Sequence, residues 1–567
     1  MGGSASLTGI FANGTGLVSP GNVDMASGTP VTVSPSVTTV YTLKVSGIGG
    51  TVSSQATVTV VDPPRIAVFS ADPAFITTGG STAVSFVFSG GTGVIDNGVG
   101  AVTSGKSKIV APAESATYTL TVTNAIGATI TASATVTVVP PPIIASFTAG
   151  STQFRPDQGT TLTAVFAGGL GVVNPGRVPM ASGAAVRVSP GMPTRFVLTV
   201  TNAAGDSISQ SLTVIPYCLL AGGNRHSLVL KSDGTVWASG FNFYGQLGDG
   251  TKVDRTTFGK VLSLTGVTSV ASGEDHCLAL RSDGTVWTWG WNIFGQLGDG
   301  TTTDRALPVP VGGLNNVIAI VARGKSSWAL RSDGTTWAWG GNNFGQLGDG
   351  TTINRAAPVQ VSGLTGVVAF QAGTYNGIAL KSDGTVWTWG WNAFGQLCDG
   401  TTVNRALAKP VDGLQDIVGV AGGNGFFTAL RSDGAVWGLG ADWSNTSQDG
   451  TTGIRTVPVL VPGLTGAVGI SNGDFHSLGL KLDGSVWAWG FNNSGQLGDG
   501  TMVSRSTPVE VSGLVSEVAL AGGVAHSLAL KSDGVVWTWG GNEFGGLGDG
   551  TTTDRHAPVP IPALILW

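Results

Sequence analysis

Hydrophobic and polar positions alternate in two different ways along this chain, and the change comes near Tyr217. Before it, Thr alternates with Val or Leu in VTVSPSVTTVYTLKVSGIGGTVSSQATVTV (31–60), KIVAPAESATYTLTVTNAIGATITASATVTV (108–138) and VRVSPGMPTRFVLTVTNAAGDSISQSLTV (186–214). Period-two alternation predicts strands with one buried face, and three copies of one hairpin predict three β-sandwiches. Pro-rich joints at 60–65 and 138–143 read as short, stiff linkers. The first copy is short. GGSASLTGIF (2–11) aligns with GGSTAVSFVF (79–88), and Pro63–Thr78, which carries the strand RIAVFSA, has no counterpart in it. The first sandwich is therefore expected to be incomplete. Either the chain is a fragment of a longer one, or an open sheet edge accepts a strand from a neighbour.

From Tyr217 a period of 50 residues sets in, marked by Trp237, Trp287, Trp337, Trp387, Trp437, Trp487 and Trp537. Each unit offers four short apolar runs. In the second copy these are a run near Val267–Ala271, HCLALRS, TVWTWG and LPVPV, with the Asp-Gly turn SDGT between the second and third. Four strands (A to D) per unit and seven units predict a seven-bladed β-propeller. The expected domains are 1–62, 63–140, 141–216 and 217–567. Twelve of the 17 Trp residues sit in the WxWG phrase, two apart on strand C, where they are expected to fill the space between blades.

Composition agrees with an all-β chain: 90 Gly, only 11% charged residues and no long helix-forming run. A net charge of −5 without a Lys/Arg cluster argues against a nucleic-acid or anionic-membrane surface. No apolar run reaches the ~18 residues of a membrane helix, and MGGSASLTG does not read as a signal peptide. Cys218, Cys277 and Cys398 lack metal-ligand spacing and read as small buried apolar residues.

HSLALKSDGVVWTWGGNEFGGLGDGTTTDRHAPVPI (526–561) resembles the regulator-of-chromosome-condensation repeat in its bacterial form, and the resemblance covers 217–567. It implies a seven-bladed ring. The eukaryotic founder of that family is a nucleotide-exchange factor for a small GTPase, and a bacterial relative inhibits β-lactamases by pressing one face of the ring onto the enzyme. Phrases such as TYTLTVTNAIG are similar to bacterial immunoglobulin-like domains of surface and secreted proteins. The resemblance supplies no catalytic motif.

The residues supply none either. G-x-S-x-G, H-E-x-x-H and a phosphate loop are absent. One Asp and one Arg recur per blade, as in Asp299 and Arg305, and read as a turn and its ion-pair partner. Calcium in DGTTTD falls short of the usual six to eight oxygens. No cofactor and no metal are expected. His226, His276, His476 and His526 hold one repeat position and read as structural residues bonding a neighbouring loop. Ser326, Asn376 and Phe426 replace them in the third to fifth blades.

Because strands alternate in direction, A–B and C–D loops share one face of the ring, and variation concentrates there. The third to fifth blades read ARGKSS, QAGTYN and AGGNGF where the regular form is AGGVAH, and the fifth replaces GFNNSGQLGDGT with GADWSNTSQDGT. The candidate binding residues are Trp291, Arg323, Lys325, Tyr375, Asn376, Trp391, Phe426 and Trp443, since exposed aromatics beside Arg are typical of recognition sites. Drift in a redundant repeat is the alternative. Phe294, Phe344 and Phe394 read as consensus residues packed within their loops, and Trp328 as core.

The expectation is a non-enzymatic binding protein of a bacterial surface or the extracellular space, a monomeric fragment, gripping a protein or carbohydrate with this face while the sandwiches act as a stalk. The competing reading is a hydrolase or lyase on the same face or in the channel, using Glu274, Asp275, Asp474 and His476.

Overall fold

A computed structural model describes residues 3–155, 158–190, 192–440 and 454–567, and all regular elements among them are β-strands. The chain forms two compact units, Met1–Pro142 with Thr201–Ser207, and Ile143–Val200 with Ile208–Trp567.

The N-terminal sequence folds as immunoglobulin-like two-sheet sandwiches. The second pairs Arg65–Asp72, Thr82–Ser89 and Lys106–Val110 in one sheet against a five-stranded sheet that ends on Phe75–Thr77. Its alternating strands bury Val84, Phe86, Leu120, Val122 and Val136. The first has a two-stranded sheet, Ala5–Leu7 with Val31–Val33, and a four-stranded one. It lacks counterparts of both Arg65–Asp72 and Phe75–Thr77, the strands that the short first copy omits. Its fully buried core is reduced to Val18, Met25, Val33 and Tyr41.

Apart from Thr201–Ser207, the third sandwich belongs to the same compact unit as the ring and docks on it. Met192 is buried against Val418 and Ile470 on innermost A strands, and it and Ile470 line the central channel. Gln153 Nε2 donates to Ile318 O at 3.0 Å, and Arg195 Nε donates to Ser382 O, in a B–C loop, at 3.0 Å. Arg155 lies over the Trp567 ring at 5.8 Å. The B–C/D–A end of the channel is thereby covered.

The ring has seven four-stranded antiparallel sheets, each built from consecutive strands; the second blade is Val267–Ser272, His276–Arg281, Val286–Gly290 and Arg305–Pro310. One hydrogen-bonded latch recurs between blades. The carbonyl of Gln296 in the second blade accepts from Trp339 Nε1 (2.9 Å) and Ser327 Oγ (2.8 Å), both in the third. His276 Nε2 lies 2.8 Å from the same Ser327 Oγ. That hydroxyl proton already serves the carbonyl, so the imidazole is the donor. Burial holds His276 neutral, with its pKa pushed down to about 3. The seam from sixth to seventh blade repeats this with Gln496, Trp539, Ser527 and His476. The histidines are thus structural, and their partner is the next blade. The second Trp, where a phrase has one, is fully buried; the first lies half-buried, and in the first six blades a Lys ammonium or Arg guanidinium lies over its ring, as with Lys481 over Trp487.

No blade borrows a strand to close the ring. At the closing seam Ser239 stands where every other blade but the fifth has the second Trp, and Gly546 where every other blade but the fifth has Gln. Ser227 Oγ and Ser239 Oγ donate to Gly546 O at 2.7 and 3.3 Å, His526 Nε2 meets Ser227 Oγ at 3.0 Å, and Phe258 packs over Gly548 in the space of the missing indole. Trp328 is fully buried, as its strand parity requires.

Two predictions follow from buried polar groups. Ser527→Ala strips the acceptor from His476 and one donor from Gln496 O, so denaturant unfolding should show a loss of about 1–3 kcal/mol. Glu517 is buried at a strand-A position where the second to sixth blades have Val, Ile or Ala, and neither carboxylate oxygen has a hydrogen-bond partner. Burial raises its pKa from 4.5 to about 7. The native state holds this proton more tightly than the unfolded chain, so stability falls as pH rises from about 4.5 through 7. Glu517→Val should therefore stabilise more at pH 8 than at pH 4, by about 1–2 kcal/mol after allowance for solvent screening, measured by chemical unfolding at the two pH values.

Candidate functional site

Each regular C–D loop is organised by one buried Asn. Asn292 Nδ2 donates to Asp299 Oδ1 (3.3 Å), Thr301 O (3.1 Å) and Thr303 O (3.0 Å), while its Oδ1 accepts from Leu297 N (2.9 Å). Arg305 closes the loop on Asp299 at 2.8 Å. Burial alone would raise the Asp299 pKa, but hydrogen bonds from Thr301 and Arg305 outweigh it and hold the carboxylate below the usual range. The recurring Asp and Arg are therefore structural, and the loop is a fixed platform from which neighbouring side chains project.

Those side chains form two aromatic belts on the A–B/C–D face. The first runs Phe544, Phe241, Tyr244, Trp291, Phe294 across the seventh, first and second blades, with centroid separations of 5.0 to 6.4 Å. Phe243 branches from it and is 60% exposed, as is Ile293 beside it. The second belt joins Phe344, Tyr375, Trp391 and Phe394 across the third and fourth blades. Cations cover parts of the first belt. Arg225 lies 4.8 Å from the Phe544 centroid, and Lys325 lies 4.9 Å from that of Phe294 and 5.4 Å from that of Trp291.

The belts surround the channel mouth, which is closed from within. Arg323 reaches from the third blade to Asp474 in the sixth, with Nη2 and Oδ1 2.8 Å apart, and its Nη1 donates to Gly522 O at 3.3 Å. Both side chains are nearly buried, 11% and 12% exposed. The other six blades have Gly at the Arg323 position. The reason is steric: a Cβ on Gly273, Gly473 or Gly523 would overlap the ring of His276, His476 or His526. Arg323 is admitted because Ser326 replaces histidine in its own blade. Below it lies a cavity of about 180 Å³, bounded by Met192 at the far end and lined mainly by strand-A backbone and small side chains.

The structure sorts the sequence-derived residues. Trp291, Lys325, Tyr375 and Trp391 are half-exposed on one face, and Arg323 spans the mouth. Asn376 and Phe426 are corrections: both are buried. Their position opens strand B and points into the seam, where histidine sits in other blades; Phe426 packs on Gly423, and Asn376 Nδ2 reaches Trp391 O at 3.4 Å. Trp443 lies outside the described residues. Phe241, Phe243, Tyr244, Phe544 and Arg225 escaped the sequence reading. Phe544, and Tyr244 with Tyr in place of Phe, follow the repeat; Phe241, Phe243 and Arg225 hold positions that vary from blade to blade, but in blades whose loops otherwise keep the regular form. Of the enzyme candidates, Glu274 and Asp474 line one small cavity at the channel mouth, while the other two are buried. His476 is buried in a seam with its pKa near 3, and Asp275 is buried under Gln246 with its pKa raised by burial and by Glu274 to about 6. Among the described residues no three His, Cys, Asp or Glu side chains gather as metal ligands.

The exchange of glycine and histidine for Arg323 and Ser326 is testable. Ser326→His alone forces an imidazole against the Arg323 Cβ and should cost about 1–3 kcal/mol by overpacking. Adding Arg323→Gly should recover most of that loss in a double-mutant cycle of thermal or urea unfolding.

Comparisons with known proteins agree with the ring. Residues 201–464 match the family model described as RCC1-like domain, and 483–530 and 533–565 match that of the regulator of chromosome condensation (RCC1) repeat. A second RCC1 repeat model matches 467–496 and 518–545. No curated protein matches the chain. Among solved structures, Prp20p from Saccharomyces cerevisiae aligns at 22% identity and a TM-score of 0.51 over 57% of this chain and 85% of that one. Human WBSCR16 aligns at 22% identity and a TM-score of 0.52 over 60% and 94%. These likenesses concern the fold. Seven fifty-residue blades, their seam latches and the family models together show that the ring is built of RCC1-like repeats.

Proposed function

We propose that the chain is a non-enzymatic binding protein whose A–B/C–D face holds a protein partner, displayed at a bacterial surface or outside the cell by its immunoglobulin-like sandwiches. The observation that carries this reading is the asymmetry of the ring. The third sandwich covers the B–C/D–A end of the channel, while the opposite face presents two aromatic belts on hydrogen-bonded loops. Aromatics with flanking Arg and Lys are the usual anchors of protein interfaces.

A protein suits the belts better than a carbohydrate. Sugar rings stack on open aromatic faces, whereas Trp291 and Phe294, Tyr375 and Trp391, and Trp391 and Phe394 cover one another edge to face at 88 to 89°. The most exposed apolar groups, Phe243 and Ile293, project as knobs suited to a protein pocket. Protein binding also has a precedent in the fold: the description of Prp20p refers to its binding of Gsp1p and histones.

Immobilised full chain should capture a partner from the extracellular and surface proteins of bacteria, and Phe243→Ser and Trp291→Ala should each weaken capture at least tenfold, as for hot-spot residues, with circular dichroism unchanged. Capture that both variants retain in full would refute the assignment of this face.

A further inference from the structure

The mouth of the channel holds a small polar cavity that the aromatic belts do not account for. Its volume is about 130 Å³, the scale of one amino-acid side chain, and its lining includes Glu274, Thr374, Tyr375, Asn424, Asp474 and Phe475. The A–B loops that bear these residues are tied tip to tip. Asn224 N donates to Glu274 O (3.0 Å), Glu274 N to Gly324 O (2.8 Å) and Asn424 N to Asp474 O (2.8 Å). The cavity is therefore framed by backbone bonds rather than by loose loops.

Its polar groups are unevenly satisfied. Asp474 has Arg323 as an ion partner and Thr374 Oγ1 at 3.4 Å. The Glu274 carboxylate has no hydrogen bond and no ion pair among the described residues, although it is half-buried. Lys325 and Arg225 act on it only from a distance, since both lie over aromatic rings. Asn424 is 8% exposed, and its Oδ1 is a buried acceptor without a partner. Burial of an unpaired acceptor costs about 1–3 kcal/mol; Asn424 Oδ1 is such a group, and the half-exposed Glu274 carboxylate beside it has only solvent to meet it, so the pair marks the place of an absent donor. An anion would meet Glu274 and Asn424 Oδ1 with repulsion. An apolar group would leave both unpaired. A cation with several N–H donors satisfies both, and Tyr375 and Phe475 would flank its apolar stem.

We propose that this mouth receives a single lysine or arginine side chain of the protein held on the A–B/C–D face, its ammonium or guanidinium donating to the Glu274 carboxylate and to Asn424 Oδ1. The inference rests on the proposed protein-binding reading of that face and names what the partner must present. Arg323 also lines the cavity, but its guanidinium is held by Asp474 and Gly522 O, which leaves Glu274 as the carboxylate there without an ion partner.

The test uses side-chain analogues on the full chain. In ligand-observed NMR titrations, n-butylammonium and n-butylguanidinium should bind saturably, and n-butyrate and n-butanol should not. Glu274→Gln, which keeps the shape and removes the charge, should weaken cation binding at least tenfold, and Asn424→Leu should weaken it too, with thermal unfolding confirming that both variants fold. Absence of saturable cation binding, equal binding of butyrate or butanol, or cation binding unchanged in Glu274→Gln overturns the proposal. If capture of a protein depends on Phe243 while the cations do not bind, the inference falls and the binding face stands. If the cations bind but capture is indifferent to Phe243→Ser, the binding face falls, and with it the assignment of the cation to a partner's side chain.

Discussion

The ring depends on one carbonyl group per regular seam. Gln296 O accepts an indole N–H and a hydroxyl from the next blade, and the histidine of its own blade reaches across to that same hydroxyl. Burial makes such bonds matter, because each unmet group in a dry seam would cost more than a made bond contributes. The latch also explains the repeat itself. Where tryptophan, serine and histidine occur together, as at the seams from the second to the third and from the sixth to the seventh blade, each is bonded across the boundary, while the glutamine lends its backbone carbonyl.

Where the latch changes, it changes in sets. The seam into the fifth blade has Phe427 and Leu439 at the serine and indole positions and Asn376 at that of the histidine, so an apolar contact replaces the polar one. The closing seam substitutes two serine hydroxyls and Phe258. In the third blade, loss of the histidine coincides with Arg323 and opens space for its Cβ. Residues that look like unrelated drift along the sequence are neighbours in space, and the third to fifth blades diverge partly inside the ring rather than only on its face.

The seven blades, the sandwiches and the shortened first copy were legible in the sequence because each follows from periodicity. The face was legible from strand direction, and Trp291, Tyr375, Trp391 and Lys325 from their loops. Asn376 and Phe426 misled because the first residue of strand B adjoins a variable loop yet points into a seam, a distinction of one residue that only the pleat decides. Phe241, Tyr244 and Phe544 stayed hidden because their assembly into a belt joins blades that the chain places far apart: Phe241 and Phe544 touch across the closing seam, at opposite ends of the ring's sequence. The channel plug was beyond reach for the same reason, since Arg323 and Asp474 meet only when blades three steps apart face each other.

Self-contained blades have a consequence for how such a ring can arise. In propellers sealed by a shared strand, the two chain ends are committed to one sheet, and inserting or deleting a unit must preserve that exchange. Here every sheet is a contiguous stretch of chain, and the ends meet through Ser227, Ser239, Gly546 and Phe258 side by side. A gene duplication or loss of one whole unit therefore leaves no orphan strand behind. Copy number is governed by the wedge angle between neighbouring sheets and by whether the terminal pair can still meet, so small seam residues at the junction, rather than the strands, determine whether a new ring closes.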